Sequence, residues 1–292
     1  MATRSGHVQH PERLPGRPEC IEAVHLIPRL PSTLDIHSLS PVRVRVERGP
    51  RPRLGHSTRR PREDEQMTAP TAAARAGTGT PSVVIFDVNE TLSDMSPLAD
   101  SFDRVGLGSG AVEPWFASVL RDGFALTSVG VNPGFADLAS ESLRVRLAAL
   151  EADDTQQLVD EVMDAFTSLS VHSDVIEGVR ALSGRGVRLV TLSNGSTSVA
   201  QGLLQRAGVR DAFETLLSVE DAGAWKPHPA SYAHALEACR VAAGEAMLVA
   251  VHPWDIDGAA RAGLRTGWLN RNDSRYPAYF TTPEVAARDL VD

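Results

Sequence analysis

Asp87 closes a short β-branched run, Ser82–Asp87 (SVVIFD), and Thr91 follows four positions on. A carboxylate placed there can attack a substrate as a covalent nucleophile, provided a cation keeps it ionised. It can equally be an acid that ends a strand. Lys226 is the candidate cation. It is the only lysine in a chain whose Lys and Arg total 29, so nearly every other cation is written as Arg. A lone Lys among arginines points to a need for a compact point charge, with chance retention on a solvated loop as the alternative. Thr91 reads as an N-cap or as a contact to Asp87 or substrate. Ser193-Asn194-Gly195 reads as a strand-to-helix turn, or as an anion site built from the N–H groups that open the next helix. Asp255 is a second carboxylate or an N-cap. His252 is a ligand contact or a packed imidazole, and Trp254 is a core or lid contact. No His/Cys spacing matches a zinc site, and His228 and His234 look incidental.

These residues need a scaffold that brings them together. Ser82–Asp87, Val187–Leu192, Met247–Val251 and Arg265–Asn270 are short apolar runs bounded by turn residues, as buried parallel strands are. Helical patterns lie between them at Asp174–Ser183, Ser196–Ala207, Pro229–Arg240 and Asp255–Ala262, with Gly184, Gly208 and Gly263 as stops. The alternation predicts an α/β class with a doubly wound parallel sheet. The rhythm breaks once. Segments near Glu113–Thr127, Pro133–Leu150 and Thr155–Ser168 are helical with no strand among them, which predicts a helical insertion after the first strand. The expected division is residues 81–97 and 171–292 as core and 98–170 as helical cap. In such sheets ligands bind beyond the carboxyl ends of the strands, where all four polar clusters fall.

Composition bounds the rest. Residues 1–66 hold nine of the 19 prolines and no aromatic residue, and carry 12 Arg against eight acids. Such a stretch buries too little apolar surface to offset its ordering entropy, so residues 1–80 are expected to be a disordered leader. It reads either as a basic arm or as the product of a start assigned too early, with Met67 as the true start. The remainder is strongly acidic, which argues against nucleic acid as a partner. No run approaches the length of a membrane span, so no membrane partner is expected either. Cys20 and Cys239 make no disulfide framework. The expectation is a cytoplasmic protein acting on a small molecule.

Taken in order, Phe86-Asp87-Val88-Asn89-Glu90-Thr91-Leu92, the Leu192-Ser193-Asn194-Gly195 turn, Lys226-Pro227 with Tyr232, and Trp254-Asp255 with Gly258-Ala259 resemble the successive motifs of the haloacid-dehalogenase superfamily. The likeness runs from about Val83 to Arg271 and is strongest to the type II 2-haloacid dehalogenases. It implies a Rossmann-like core with a helical cap inserted after the first strand. It also implies that Asp87 displaces halide from a 2-haloacid through an ester and that Lys226 keeps Asp87 ionised. Asp255 would position or deprotonate the hydrolytic water. Thr91, Ser193 and Asn194 would bond the nucleophile or the substrate, and Tyr232 would shape the pocket. No cofactor is implied, and a homodimer is common in the family.

The chain departs from that pattern in its pocket. The family places an Arg directly after the cap tryptophan, whereas Trp115 is followed here by Phe116. Arg121 is the candidate substitute from a shifted position. A serine and an asparagine of the last motif are replaced by Ala250 and His252. The competing reading is a Mg²⁺-dependent phosphatase of the same superfamily, which would carry a second Asp where Asn89 stands and an added acid near Asp255. Asp257 is the one residue that keeps a metal site conceivable. A non-catalytic small-ligand binder is the third reading.

Overall fold

The computed structural model describes residues 79–152 and 154–292. The leader assigned to residues 1–80, and the alternative start at Met67, lie outside the described residues except for residues 79 and 80.

The sheet is organised around its first strand. β1 (Val83–Phe86) sends Val83 and Ile85 into one apolar layer and Val84 and Phe86 into the other. That is the two-residue alternation of a strand covered on both faces. β2 (Arg188–Ser193), β3 (Phe213–Ser218), β4 (Ala246–Ala250), β5 (Arg265–Leu269) and β6 (Val285–Ala287) complete it in the order β3-β2-β1-β4-β5-β6, every neighbouring pair parallel. The chain leaves β1 toward β2 on one side and later returns to β4 on the other, which creates the crevice where strand order reverses. Register makes that crevice level, because Phe86 faces both Thr191 and Val249. The residues following β1, β2 and β4 therefore emerge along one edge. The expected doubly wound α/β core is the fold found.

Helices α1 (Leu98–Arg104), α2 (Val112–Ser128), α3 (Phe135–Ala148) and α4 (Thr155–Thr167) lie between β1 and α5 (Val175–Gly184), the helix that leads into β2. α3 buries Phe135, Ala139, Leu143 and Leu147, one residue every four, and α4 buries Val159, Val162 and Phe166. Such stripes suit helices packed on one another. α6 (Thr197–Arg206), α7 (Val219–Ala222), α8 (Pro229–Cys239) and α9 (Pro253–Arg261) make the later crossovers. Among the described residues no helix is long and apolar enough to cross a membrane.

Several details differ from the sequence expectation. β3 and β6 were not foreseen; β3 is interrupted by exposed Glu214, and β6 is a three-residue edge strand with two exposed positions. An edge strand buries too little to leave a continuous apolar run. Gly184 does not stop α5 but ends it in helical conformation, and Gly186, at φ +77°, takes the left-handed position. Gly208 and Gly263 adopt positive φ just beyond α6 and α9.

α2 meets the core through Gly123. A Cβ there would lie 2.4 Å from Cε3 of Trp225 and 2.5 Å from Cζ3. Trp225 also donates from Nε1 to the Pro133 carbonyl (3.0 Å) and stacks on Phe135 with centroids 6.0 Å apart. Lys226 is the next residue. Alanine in an exposed helix gains about 1 kcal/mol over glycine, but overlap with a buried ring outweighs that. Gly123→Ala is expected to destabilise the protein by about 1–3 kcal/mol in chemical denaturation. A variant as stable as the wild type would mean that α2 is not seated on Trp225.

Candidate active site

Asp87 is held at the tip of β1 by its own N–H, which donates to the Val249 carbonyl at 3.0 Å. The chain then makes a single helical turn, with Leu92 and Ser93 N–H both donating to the Val88 carbonyl. This turn brings Thr91 back beneath Asp87. Its hydroxyl donates to Asp87 Oδ2 at 2.6 Å and accepts from Val251 N–H at 3.1 Å, which locks the ends of β1 and β4 together. Thr91 caps no helix, since α1 begins at Leu98.

Lys226 arrives from the loop after α7 and is completely buried. Asn194, at the end of β2, fixes that loop: its Oδ1 accepts from Lys226 N–H at 3.0 Å and its Nδ2 donates to the Lys226 carbonyl at 3.4 Å. The ammonium donates to Asp87 Oδ1 at 2.9 Å and to Asp255 Oδ2 at 2.6 Å. Asp255, also wholly buried, accepts the Tyr232 hydroxyl on Oδ1 at 2.7 Å. The N-cap of α9 is His252, so Asp255 sits in the first turn and is no cap. Gly258 admits the Tyr232 ring, because a Cβ there would lie 2.4 Å from its hydroxyl.

Two carboxylates thus share one ammonium, and their environments push them apart. Burial would raise the Asp87 carboxyl, but Lys226, His252 and Thr91 outweigh it and hold Asp87 well below the usual carboxylate range. Asp255 shifts upward, because burial and the Asp87 charge outweigh Lys226 and Tyr232. Lys226 is raised despite its burial by the two carboxylates it serves. The arrangement stores an ionised, nearly dry carboxylate at a strand tip. It suits attack on an electrophile.

His252 completes the cluster. Nδ1 lies 3.1 Å from Asp87 Oδ2 and Nε2 lies 2.8 Å from Glu90 Oε2. The ring stacks on Trp254 (4.9 Å between centroids) and on Phe116 of α2 (6.3 Å), and Trp254 meets Phe124. Glu90 reaches the imidazole from a left-handed backbone, φ +61°, and its carbonyl lies 3.0 Å from His172 Nε2. Neither Glu90 nor Phe116 carries a role in the sequence reading. An acid three positions after Asp87 was in plain view, but nothing local ties it to a histidine 162 residues away.

Other expected site residues are placed differently. Arg121 is not brought in. It points to solvent and pairs with Asp122 at 2.8 Å, because five residues beyond Phe116 carry it about 140° around the helix. Asn194 and Tyr232 spend their polar groups on Lys226 and Asp255, so they position those residues. Ser193 Oγ accepts from Gly195 N–H at 2.9 Å within the turn.

The donor set does not suit Mg²⁺, which wants several free oxygen ligands. Asp87 and Asp255 already accept from protonated partners on both oxygens. Asp257 is turned away to Arg261 (2.7 Å) and Thr281 (2.8 Å), which removes the expectation that it could help bind a metal. Among the described residues no group of three His, Cys, Asp or Glu side chains is disposed to hold an ion.

A family model described as haloacid dehalogenase-like hydrolase matches residues 81–263. Haloacetate dehalogenase H-2 of Moraxella sp. (strain B) is 28% identical over 203 residues, covering 69% of this chain and 91% of the relative. The (S)-2-haloacid dehalogenase of Pseudomonas sp. (strain YL) is 28% identical over 209 residues, covering 71% and 90%. A crystal structure of a dehalogenase with an intermediate complex superposes with a TM-score of 0.68 at 26% identity, covering 73% of this chain and 95% of that one.

The His252 clamp has a consequence for stability. Burial disfavours its charge, but Asp87 and Glu90 outweigh burial and raise the imidazole from 6.5 to about 9. The folded state then holds a proton that the unfolded chain releases first, so the clamp stabilises fully below about pH 6.5 and is lost as pH rises through about 9. Denaturation midpoints from about pH 6 to about pH 10 should fall more steeply for the wild type than for His252→Gln. Parallel profiles would show that the imidazole is not clamped.

Proposed function

The chain belongs to the haloacid dehalogenase-like hydrolases, and on that premise we propose that it hydrolyses the carbon–halogen bond of a small 2-haloalkanoic acid through an ester on Asp87. The observation that carries the reading is the buried Asp87–Lys226–Asp255 chain of charge-assisted hydrogen bonds. In this reading Asp87 attacks C2 from the face opposite the halogen, forming a C–O bond as the carbon–halogen bond breaks and halide departs. Lys226 keeps Asp87 anionic before attack. Asp255 and Tyr232 hold Lys226 in place. Water then adds to the Asp87 carboxyl carbon, and the hydroxy acid leaves.

The relatives support the substrate class. Those named above act on haloacetate and (S)-2-haloacids, and they are matched over about nine-tenths of their length. Helices α1–α4 serve as the cap in this proposal, with Phe116 and Trp254 forming part of the wall against Asp87. Where the family carries a guanidinium, this wall is aromatic, and the positive charge near Asp87 comes from His252 and Lys226. The phosphatase reading has no supporting observation, because Asn89 cannot donate a proton to a leaving group and the carboxylates are already bonded.

Purified protein is expected to release halide from chloroacetate or 2-chloropropionate, with EDTA making no difference, and to leave p-nitrophenyl phosphate intact. Asp87→Asn should abolish halide release. Lys226→Met should lower it by at least about a hundredfold, since one charge partner of a buried pair is worth about 3 kcal/mol or more. Phosphate release that requires Mg²⁺, or halide release that survives Asp87→Asn, would overturn the proposal.

A further inference from the structure

Resting on the ester reading, we infer that His252 is the base that activates water for the second half of the reaction, with Asp255 confined to holding Lys226. Three observations meet here. First, Asp255 is closed off from the cavity that borders His252, since it is not among the residues lining it. It is completely buried, and both its oxygens are engaged, by Lys226 at 2.6 Å and Tyr232 at 2.7 Å. Second, His252 lies 3.1 Å from Asp87 Oδ2 and borders a cavity of about 290 Å³ that Glu90, Asp94, His172 and Arg271 also line. That volume holds several waters beside His252, which links it to Asp87. Third, each ring nitrogen faces a carboxylate oxygen. A carboxylate only accepts, so both nitrogens carry protons in the resting site and the ring is an imidazolium.

The chemistry supplies the switch from acid to base. Attack converts Asp87 from an anion to a neutral ester, and the imidazolium loses one of its two counter-charges. Its proton then leaves through the cavity, matching the one proton that hydrolysis of a carbon–halogen bond must release. The neutral imidazole takes a proton from water as the hydroxide adds to the ester carbonyl carbon. Collapse of the adduct breaks the bond from acyl carbon to alkyl oxygen, and the alkoxide takes the proton of the added hydroxyl. The hydroxy acid departs, Asp87 is again a carboxylate, and His252 is again an imidazolium between two acids. Glu90 is a positioning residue here. It fixes the ring from Nε2 and sets how readily the proton leaves.

The experiment mixes the full chain with excess chloroacetate, and follows halide by rapid quench and the Asp87-containing peptide by mass spectrometry. In His252→Gln a burst of halide near one per site is expected, with less than about tenfold loss in its rate. Ester should then accumulate on that peptide, because its hydrolysis slows by about a hundredfold or more. Glu90→Gln should move the pH profile of ester hydrolysis to lower pH, since Asp87 is neutral in the ester and the amide then leaves the imidazole facing no carboxylate. The groups facing His252 are Asp87 and Glu90 directly, Lys226 beyond Asp87, and Asp94, His172 and Arg271 around the cavity. Only Glu90 among them is changed in that variant. Loss of the halide burst itself in His252→Gln would assign His252 to the first step and overturn the inference. So would accumulation of ester in Asp255→Asn but not in His252→Gln. Wild-type protein that releases no halide from chloroacetate or 2-chloropropionate would instead sink the carbon–halogen reading, and this inference with it.

Discussion

A fully buried ammonium must be surrounded by counter-charge, and that requirement organises this molecule. Lys226 has no solvent contact, so its charge is tolerable only because Asp87 and Asp255 both reach it within 2.9 Å. Those carboxylates come from β1 and α9, and Lys226 from a loop that Asn194 pins to the end of β2. The parallel register, which sets Phe86 level with Thr191 and Val249, is what lets three separate loops meet at one point. A compact ammonium suits the place because two independent carboxylates approach it from different directions, where a planar guanidinium would favour a single bidentate partner.

Around this centre lies a second electrostatic arrangement with a different purpose. His252 binds the other oxygen of Asp87 and is walled by Phe116 and Trp254, which keep water from its faces. Together with Glu90 it borders the cavity. The Asp87 carboxylate therefore sits between a permanent cation and a titratable one. In the proposed reaction the first keeps the nucleophile charged, and the second responds when that charge disappears. Trp225 connects the site to the inserted helices: it packs on Gly123 of α2, stacks on Phe135 of α3 and precedes Lys226 in the chain. A shift of those helices would be felt at the ammonium through direct packing.

Much of the scaffold was legible because burial on both faces leaves uninterrupted apolar runs. Val83–Phe86 and Ala246–Ala250 stand out for that reason, whereas the edge strand β3 is interrupted by exposed Glu214 and the edge strand β6 is only three residues long. α1, only seven residues long, is too short to show a period. Asp87 was legible by its place at a strand end, Lys226 by its solitary residue type, and Asp255 by its place just after an apolar run. Arg121 was misplaced because proximity in sequence is not proximity on a helix: a guanidinium five residues along faces water. Glu90 was passed over because its partner lies on a different crossover.

The amino-acid order alone determined the α/β alternation, the position of the helical insertion, and a short roster of groups able to carry covalent chemistry. It could do so because strand and helix periods, glycine stops and a solitary lysine are local properties. What only the tertiary structure decided is which of those groups touch. It assigned Asn194 and Tyr232 to support, removed Arg121, closed Asp255 to water and joined His252 to both Asp87 and Glu90. Those outcomes depend on sheet register and on how closely α2 approaches Trp225. Both are set by packing between residues far apart in the chain, which no local pattern encodes.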